Sequence, residues 1–199
     1  MIKFKNYVWI LGSIIFFSSC IKQEENYTPK PKGYFRIELP KHEYVQMDTD
    51  SMLPFLLQHS RHAEVNVESK EAGMYWLNVD YPSLNAQINM TYIPLHGDLR
   101  ELAVAEEKMM AFHIEHGKVD DILEDYIYDP NHRIYGKIFT IEGKTAATPL
   151  TFWATDSADH FLRAALYFNF APNNDSLKPV IDYLKDDVLE MINTLEWKR

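Results

Sequence analysis

Residues 160–170, His160-Phe161-Leu162-Arg163-Ala164-Ala165-Leu166-Tyr167-Phe168-Asn169-Phe170, decide the fold. Leu162, Ala164, Leu166, Phe168 and Phe170 recur at every second position, so a strand over 161–170 places all five on one face. The next apolar pattern has a different period. Leu177, Val180, Ile181, Leu184, Val188, Met191, Ile192 and Leu195 recur at helical spacing and form one continuous stripe. Asp175 or Ser176 is placed to cap that helix, and Pro179 is tolerated in its first turn. A half-apolar strand followed by a half-apolar helix can bury both faces only by packing one on the other.

Upstream, three more segments read as strands, 122–128, 133–142 and 149–155. Their links, Asp129-Pro130-Asn131-His132, 143–148 and Asp156-Ser157-Ala158-Asp159, have turn composition. A helix precedes them. Asp98 is its predicted N-cap, Glu101 stands in the capping-box position, and Gly117 stops it after about residue 115. Before it, strands over 74–81 and 86–93 flank Pro82-Ser83-Leu84-Asn85, a hairpin connector. Phe35, Ile37 and Leu39 alternate with polar partners over 34–39, which predicts a strand that Pro40 ends. Segments 44–47 and 55–57 read as short strands, and 63–68 alternates weakly. Strands this closely linked pair antiparallel. The expectation is an α+β fold: a mainly antiparallel sheet covered by two helices, an α/β/α sandwich.

The N-terminus carries a different kind of information. Lys3 and Lys5 form a positive region, residues 7–17 an apolar one, and Ser18-Ser19 supply small residues before Cys20, the sole cysteine. That is a secretory leader with a cysteine directly behind the cut, the pattern of a bacterial lipoprotein. The apolar run is too short for a membrane span, which needs about 20 residues, and Gly12 and Ser13 interrupt it. Phe17 is bulkier than the aliphatic residue usual three positions before the cysteine. The expected organisation is a signal peptide over 1–19, a lipidated tether over 20–33 and one α+β domain over 34–199. The tether is charged, holds Pro29 and Pro31, and has no periodic apolar face.

Charge and cysteine content exclude several classes. Lys3 and Lys5 are the only charges in the leader, so its removal takes the formal net charge from −9 to −11. Such a chain lacks the clustered cations that nucleic acid demands. It is also repelled by anionic lipid, so the acyl chains must do the anchoring. With Cys20 acylated, disulfides, thiolate metal sites and cysteine nucleophiles are unavailable to the fold. The 12 Tyr, 11 Phe and 4 Trp suit a sheet with large packed side chains.

Candidate chemistry is sparse. His59/His62 and His113/His116 are each three apart, but neither pair sits in a His-Glu-x-x-His segment, and exposed histidines near a helix end explain the second pair. Glu106 falls inside the apolar arc of Leu99, Leu102, Ala103, Met109 and Met110, with His113 in the same arc. A carboxylate there needs a partner, and Arg133 or Arg163 could supply it. Glu106 with His113 or His116 is therefore the one candidate constellation for an envelope hydrolase or a ligand-binding module. Asp156, Ser157 and His160 lie too close in sequence to converge as a triad, and no Gly-x-Ser-x-Gly elbow exists. Asp120, Asp121, Glu124 and Asp125 lack the spacing and glycine of a calcium loop. No metal or cofactor is expected.

Several strings resemble the gliding-motility lipoprotein GldD family. They are residues 29–40 (Pro-Lys-Pro-Lys-Gly-Tyr-Phe-Arg-Ile-Glu-Leu-Pro), Thr155-Asp156-Ser157, His160-Phe161-Leu162-Arg163, Ala165-Leu166-Tyr167-Phe168, Asn173, Asp175-Ser176-Leu177 and Leu195-Glu196-Trp197. The resemblance implies a role in gliding and the linked type IX secretion system, as a non-catalytic scaffold or assembly factor. It carries over only Cys20, as the lipidation site. The element order is also similar to the Mog1/PsbP-type sandwich, which is fold analogy alone. The expected partners are the membrane, through acylated Cys20, and envelope proteins of gliding and secretion, with no nucleic acid and no small-molecule substrate. Trp76, Trp153, Arg163 and Tyr167 are the expected interaction patch, since aromatics and arginine dominate interface energies. The expected location is the cell envelope, at the outer membrane, on its periplasmic face or its surface. Ile21 in place of Asp after the cysteine argues against inner-membrane retention.

Changing Cys20 to Ser should release the protein from membranes while leaving the domain folded, because the tether lies outside the expected core. Membrane fractionation with circular dichroism of the released protein checks this. Undiminished membrane attachment of the variant would overturn the lipoprotein reading.

Overall fold

The alternation of residues 86–94 places Ala86, Ile88, Met90 and Tyr92 on one side of a strand and Gln87, Asn89, Thr91 and Ile93 on the other. In the computed structural model of the protein the described residues are 37–47, 52–115, 119–171 and 173–198, without the side chain of residue 113. The strands are β1 (Tyr44–Gln46), β2 (Phe55–Leu56), β3 (Gln58–Ser60), β4 (Glu64–Ser69), β5 (Tyr75–Tyr81), β6 (Ala86–Pro94), β7 (Asp121–Asp129), β8 (Ile134–Glu142), β9 (Leu150–Thr155), β10 (His160–Phe168) and β11 (Glu196–Trp197). The helices are α1 (Leu99–Glu115) and α2 (Asn174–Asn193). Seven strands form one antiparallel sheet in the order β4-β5-β6-β10-β9-β8-β7. Two meanders meet where β10 pairs with β6, from His160 opposite Pro94 to Phe168 opposite Ala86. The fold is α+β with a large antiparallel sheet and two helices, as the strand patterns and the two expected helices predict.

Each helix takes one face of the sheet. The even positions of β10 (Leu162, Ala164, Leu166) join Leu77, Val79, Ile88, Met90, Phe152 and Ala154 beneath Val180, Tyr183, Leu184, Val188 and Met191 of α2. Burying each of the leucine, valine, isoleucine, methionine and phenylalanine side chains among them contributes about 1.5–3 kcal/mol. On the opposite face α1 sets Met110 against Phe139, Ile141 and Ala146. Strand order dictates that position. β6 lies mid-sheet and β7 at the edge, so the connection through α1 must cross β10, β9 and β8.

In the segment 37–60 the expected short strands over 44–47 and 55–57 form as β1 and β2, and the expected strand over 34–39 is where the reading departs from the structure. Residues 37–39 are not in a strand; Leu39 is partly buried against the core, and Pro40 offers no donor for a ladder. Residues 34–36, the start of that expected strand, lie outside the described residues, as do 1–33. The short strands pair with distant partners, β1 with β3 and β2 with β11, and this strap drives Met47, Leu53, Phe55 and Leu57 into the core. The strand expected to reach residue 170 ends at Phe168, and Phe170 is left partly exposed against the Phe168 ring. The last helix starts earlier than predicted. Asn173, not Asp175 or Ser176, is the N-cap, and its carbonyl accepts the Ser176 and Leu177 N–H groups. Pro179 therefore falls in the second turn, inside the helix. The reason is tertiary: Asn174 is buried and donates through Nδ2 to the Gly143 and Ala146 carbonyls, tying the helix start to the β8–β9 loop.

Gly136 in β8 is fixed by crowding. A Cβ built there would lie 2.0 Å from the Trp153 carbonyl oxygen on the neighbouring strand. Backbone cannot yield as a side-chain end can. Gly136→Ala should destabilise the domain by about 3 kcal/mol or split the β8–β9 ladder. Urea unfolding checks this, and an unchanged midpoint would contradict the packing described.

Candidate functional site

The four patch residues expected from sequence share one sheet face. Register places Glu68, Trp76, Thr91, Arg163, Trp153, Lys137 and Tyr126 opposite one another in a single row across all seven strands. Tyr167 lies on the same face, four residues along β10 from Arg163. The crossover helix divides that row. Trp76 is 51% exposed and Tyr167 36%. Trp153 is half-buried, stacked on Phe161 at 5.7 Å, and Arg163 is drawn to α1.

Arg163 settles the question of Glu106. Its Nε stands 3.1 Å from Glu106 Oε1, while Arg133 pairs instead with Asp156. Burial pushes the Glu106 carboxyl up, and Arg163 offsets part of that shift. Glu106 thus pins the middle of α1 to the sheet. Beyond it, Lys137 is held by Glu107 at 3.0 Å and Glu124 at 3.2 Å, and the bond to Glu107 raises its ammonium pKa above the usual value. Here α1 and β7 enclose a groove of about 490 Å³. Met110, Ala111, Ile114, Val119 and Ile122 line it, with Glu107, Asp120, Asp121 and Glu124 at its rim. Strand β7 is the sheet edge, and Tyr126 and Tyr128 on it are 78% and 75% exposed.

The histidine pairs do not assemble a site among the described residues. His59 Nδ1 bonds the Ser60 carbonyl oxygen, and burial lowers its pKa. His62 Nε2 contacts the Lys41 carbonyl oxygen. His116, Gly117 and the His113 side chain lie outside the described residues. No group of three or more His, Cys, Asp or Glu side chains is arranged to hold a metal among the described residues.

Asp156 and its neighbours form the β9–β10 turn, as their composition predicts. Asp156 Oδ1 accepts the N–H groups of Ala158, Asp159 and His160, and Oδ2 accepts from Arg133. Around it, the His160 ring stacks on Trp197 at 5.0 Å and 5°, Nδ1 of His160 lies 2.8 Å from Tyr92 Oη, and Trp197 Nε1 donates to the Arg133 carbonyl. Burial, with Asp156 and Asp159 nearby, pushes the Tyr92 phenol up to about 12. Three of the family-like strings, from Thr155, His160 and Leu195 onward, meet at this one end of the sheet.

Sequence reasoning missed a second polar centre. Asp187, in the buried face of α2, has no exposed side-chain area. Its Oδ1 accepts from His42 Nδ1 at 2.7 Å and Tyr44 Oη at 3.1 Å. The His42 ring stacks on Tyr183 at 4.2 Å. The signal was present: Asp187 stands three residues after Leu184 and four before Met191, within the apolar stripe.

The fold and its polar clusters define an acidic α/β/α sandwich whose buried charges are spent on tying its own elements together. Comparison with known families gives the particular one. The family described as "Gliding motility lipoprotein GldD" matches residues 24–197, and the chain belongs to it. It is accordingly a lipid-anchored protein of the cell envelope, connected with gliding motility. No curated protein matches it. Among the described residues no helix is long and apolar enough to cross a membrane.

The Asp156 turn makes a pH prediction. Burial alone would raise its carboxyl, but the three backbone N–H donors outweigh burial and hold it below 3.8. A depressed folded pKa stabilises above the unfolded value and loses that contribution as pH falls through the folded one. Asp156→Ala should therefore cost about 2–3 kcal/mol near neutrality. The gap should narrow as pH drops below 3.8. Denaturant titrations of both proteins across that range check this, and a gap independent of pH would refute it.

Proposed function

We propose that this chain is a non-catalytic scaffold or assembly factor for gliding motility and the linked type IX secretion machinery, anchored at the outer membrane through acylated Cys20 and the tether 20–33. The groove between α1 and β7 supports it most. It combines an apolar floor, an acidic rim, a strand edge with no partner strand among the described residues, and two tyrosines at least three-quarters exposed. A strand edge with charges on it resists self-association, yet it accepts an extended segment of opposite charge by strand addition. The fitting partner is thus a basic, apolar-faced stretch of another envelope protein. Anchoring raises the local concentration of partners in the same envelope, so modest contacts suffice.

The alternative is an envelope hydrolase or ligand-binding module built on Glu106, His113 and His116. It loses support where Glu106 is buried against Arg163. A carboxylate committed to an arginine under a helix is poorly placed to move protons for a substrate.

A photo-crosslinking residue placed at Tyr126 or Tyr128 in living cells should capture a gliding or secretion protein. The same group at Lys178, on the outer side of α2, should not. Tyr126→Ser with Tyr128→Ser should impair gliding while changing stability by no more than about 0.5 kcal/mol each. Equal capture at both places, or normal gliding by the double variant, would count against the proposal.

A further inference from the structure

We propose that the uncovered half of the sheet face, over β4, β5 and β6, binds a neutral saccharide chain. This goes beyond the scaffold role and uses the opposite edge of the sheet from the β7 groove.

The first observation is register. Asn66, Asn78 and Asn89 lie directly opposite one another on three adjacent strands. All three line a cleft of about 330 Å³ with Trp76, Glu68 and Thr91. Asparagine is disfavoured in strands, and an ordinary solvated face would favour threonine or charged residues there. Three in one row place three planar amides, each both donor and acceptor, at the strand spacing of about 4.8 Å. That spacing is similar to the advance of one hexose along an extended glycan, whose hydroxyls also donate and accept.

The second observation is an unmet bond. Asn89 Oδ1 is buried in the cleft wall and has no hydrogen-bond partner among the described residues. Native structures rarely leave such an atom unmatched without a reason. Asn66 shows the alternative, since its Nδ2 donates to Asp80 Oδ2 at 3.1 Å.

The third is Trp76. Its indole is half exposed, though the Lys70 ammonium lies 4.1 Å from the ring centroid and is itself held by Glu68. An exposed flat ring beside amides suits the apolar C–H face of a sugar. Charge narrows the class. Glu64, Glu68 and Asp80 lie on this face, and Lys70 is already paired. The field disfavours anionic polymers and nucleic acid. The lining is too polar for an apolar protein surface, whose core excludes amides and charges.

The test uses the full mature chain in detergent micelles. The probes are the neutral hexasaccharides of β-1,4-glucose, α-1,4-glucose and β-1,4-N-acetylglucosamine, with polygalacturonate as the anionic control. Tryptophan fluorescence and calorimetry read binding. At least one neutral hexasaccharide should bind, and polygalacturonate should not. Trp76→Ala and, separately, Asn66→Ala should each weaken binding about tenfold, the loss of one good contact. Asn66 is exposed, so that variant folds normally and separates contact loss from misfolding. Tyr126→Ser should leave binding unchanged. No binding by any neutral probe, equal binding by polygalacturonate, or undiminished binding by both cleft variants would overturn the proposal. Capture at Tyr126 tests a different surface, so either idea can fail alone.

Discussion

The carboxylate of Asp187 is shut away from solvent in the middle of α2, and it holds the strap to that helix through two hydrogen bonds. His42 and Tyr44 reach it from the strap, Tyr183 precedes it by one helical turn, and Tyr81 approaches from β5. Burial, reinforced by the nearby Asp187 charge, raises the phenols of Tyr44, Tyr81 and Tyr183, so all three remain neutral hydroxyls. A buried carboxylate is costly unless its bonds are supplied, and removing one partner typically costs about 3–5 kcal/mol. The strap therefore does more than cover apolar surface. It supplies the hydrogen bonds to Asp187 Oδ1 found among the described residues, and in return its own position is fixed.

A similar bond operates on the other face. Glu106 and Arg163 pin α1 across the sheet, and the crossover from β6 to β7 allows the helix no other route than over β10, β9 and β8. The result is asymmetric. One helix cannot cover seven strands, so among the described residues nothing covers this face of β4, β5 and most of β6. At the far edge, the same helix turns β7 from a plain strand into one wall of a groove. Two surfaces of different chemistry arise from one topological fact.

Much of this was legible in the chain. Strand patterns between turn-like links located β5 to β10, the apolar stripe located α2, and the capping signals at Asp98, Glu101 and Gly117 located α1, because those signals are local. Glu106 was visible as a polar residue in an apolar arc, and Arg163 was one of two partners open to it. What escaped depended on distant pairing. The segments of β1 and β2 did read as short strands, but β3 and the pairings of β1 with β3 and of β2 with β11 carry no local signal. The helix start at Asn173 depends on carbonyls in the β8–β9 loop. The asparagine row cannot be seen without register, since 66, 78 and 89 share no regular spacing in sequence. Asp187 could have been found by placing every residue of α2 on its wheel, polar ones included.

The electrostatics bear on how such a domain works. Most of the buried charge is matched internally: Asp156 by backbone N–H groups and Arg133, Glu106 by Arg163, Asp187 by His42 and Tyr44. What remains outward is a net negative surface, which anionic headgroups repel rather than attract. For a lipid-anchored domain of this charge, electrostatic attraction to an anionic bilayer is not available as a second means of attachment.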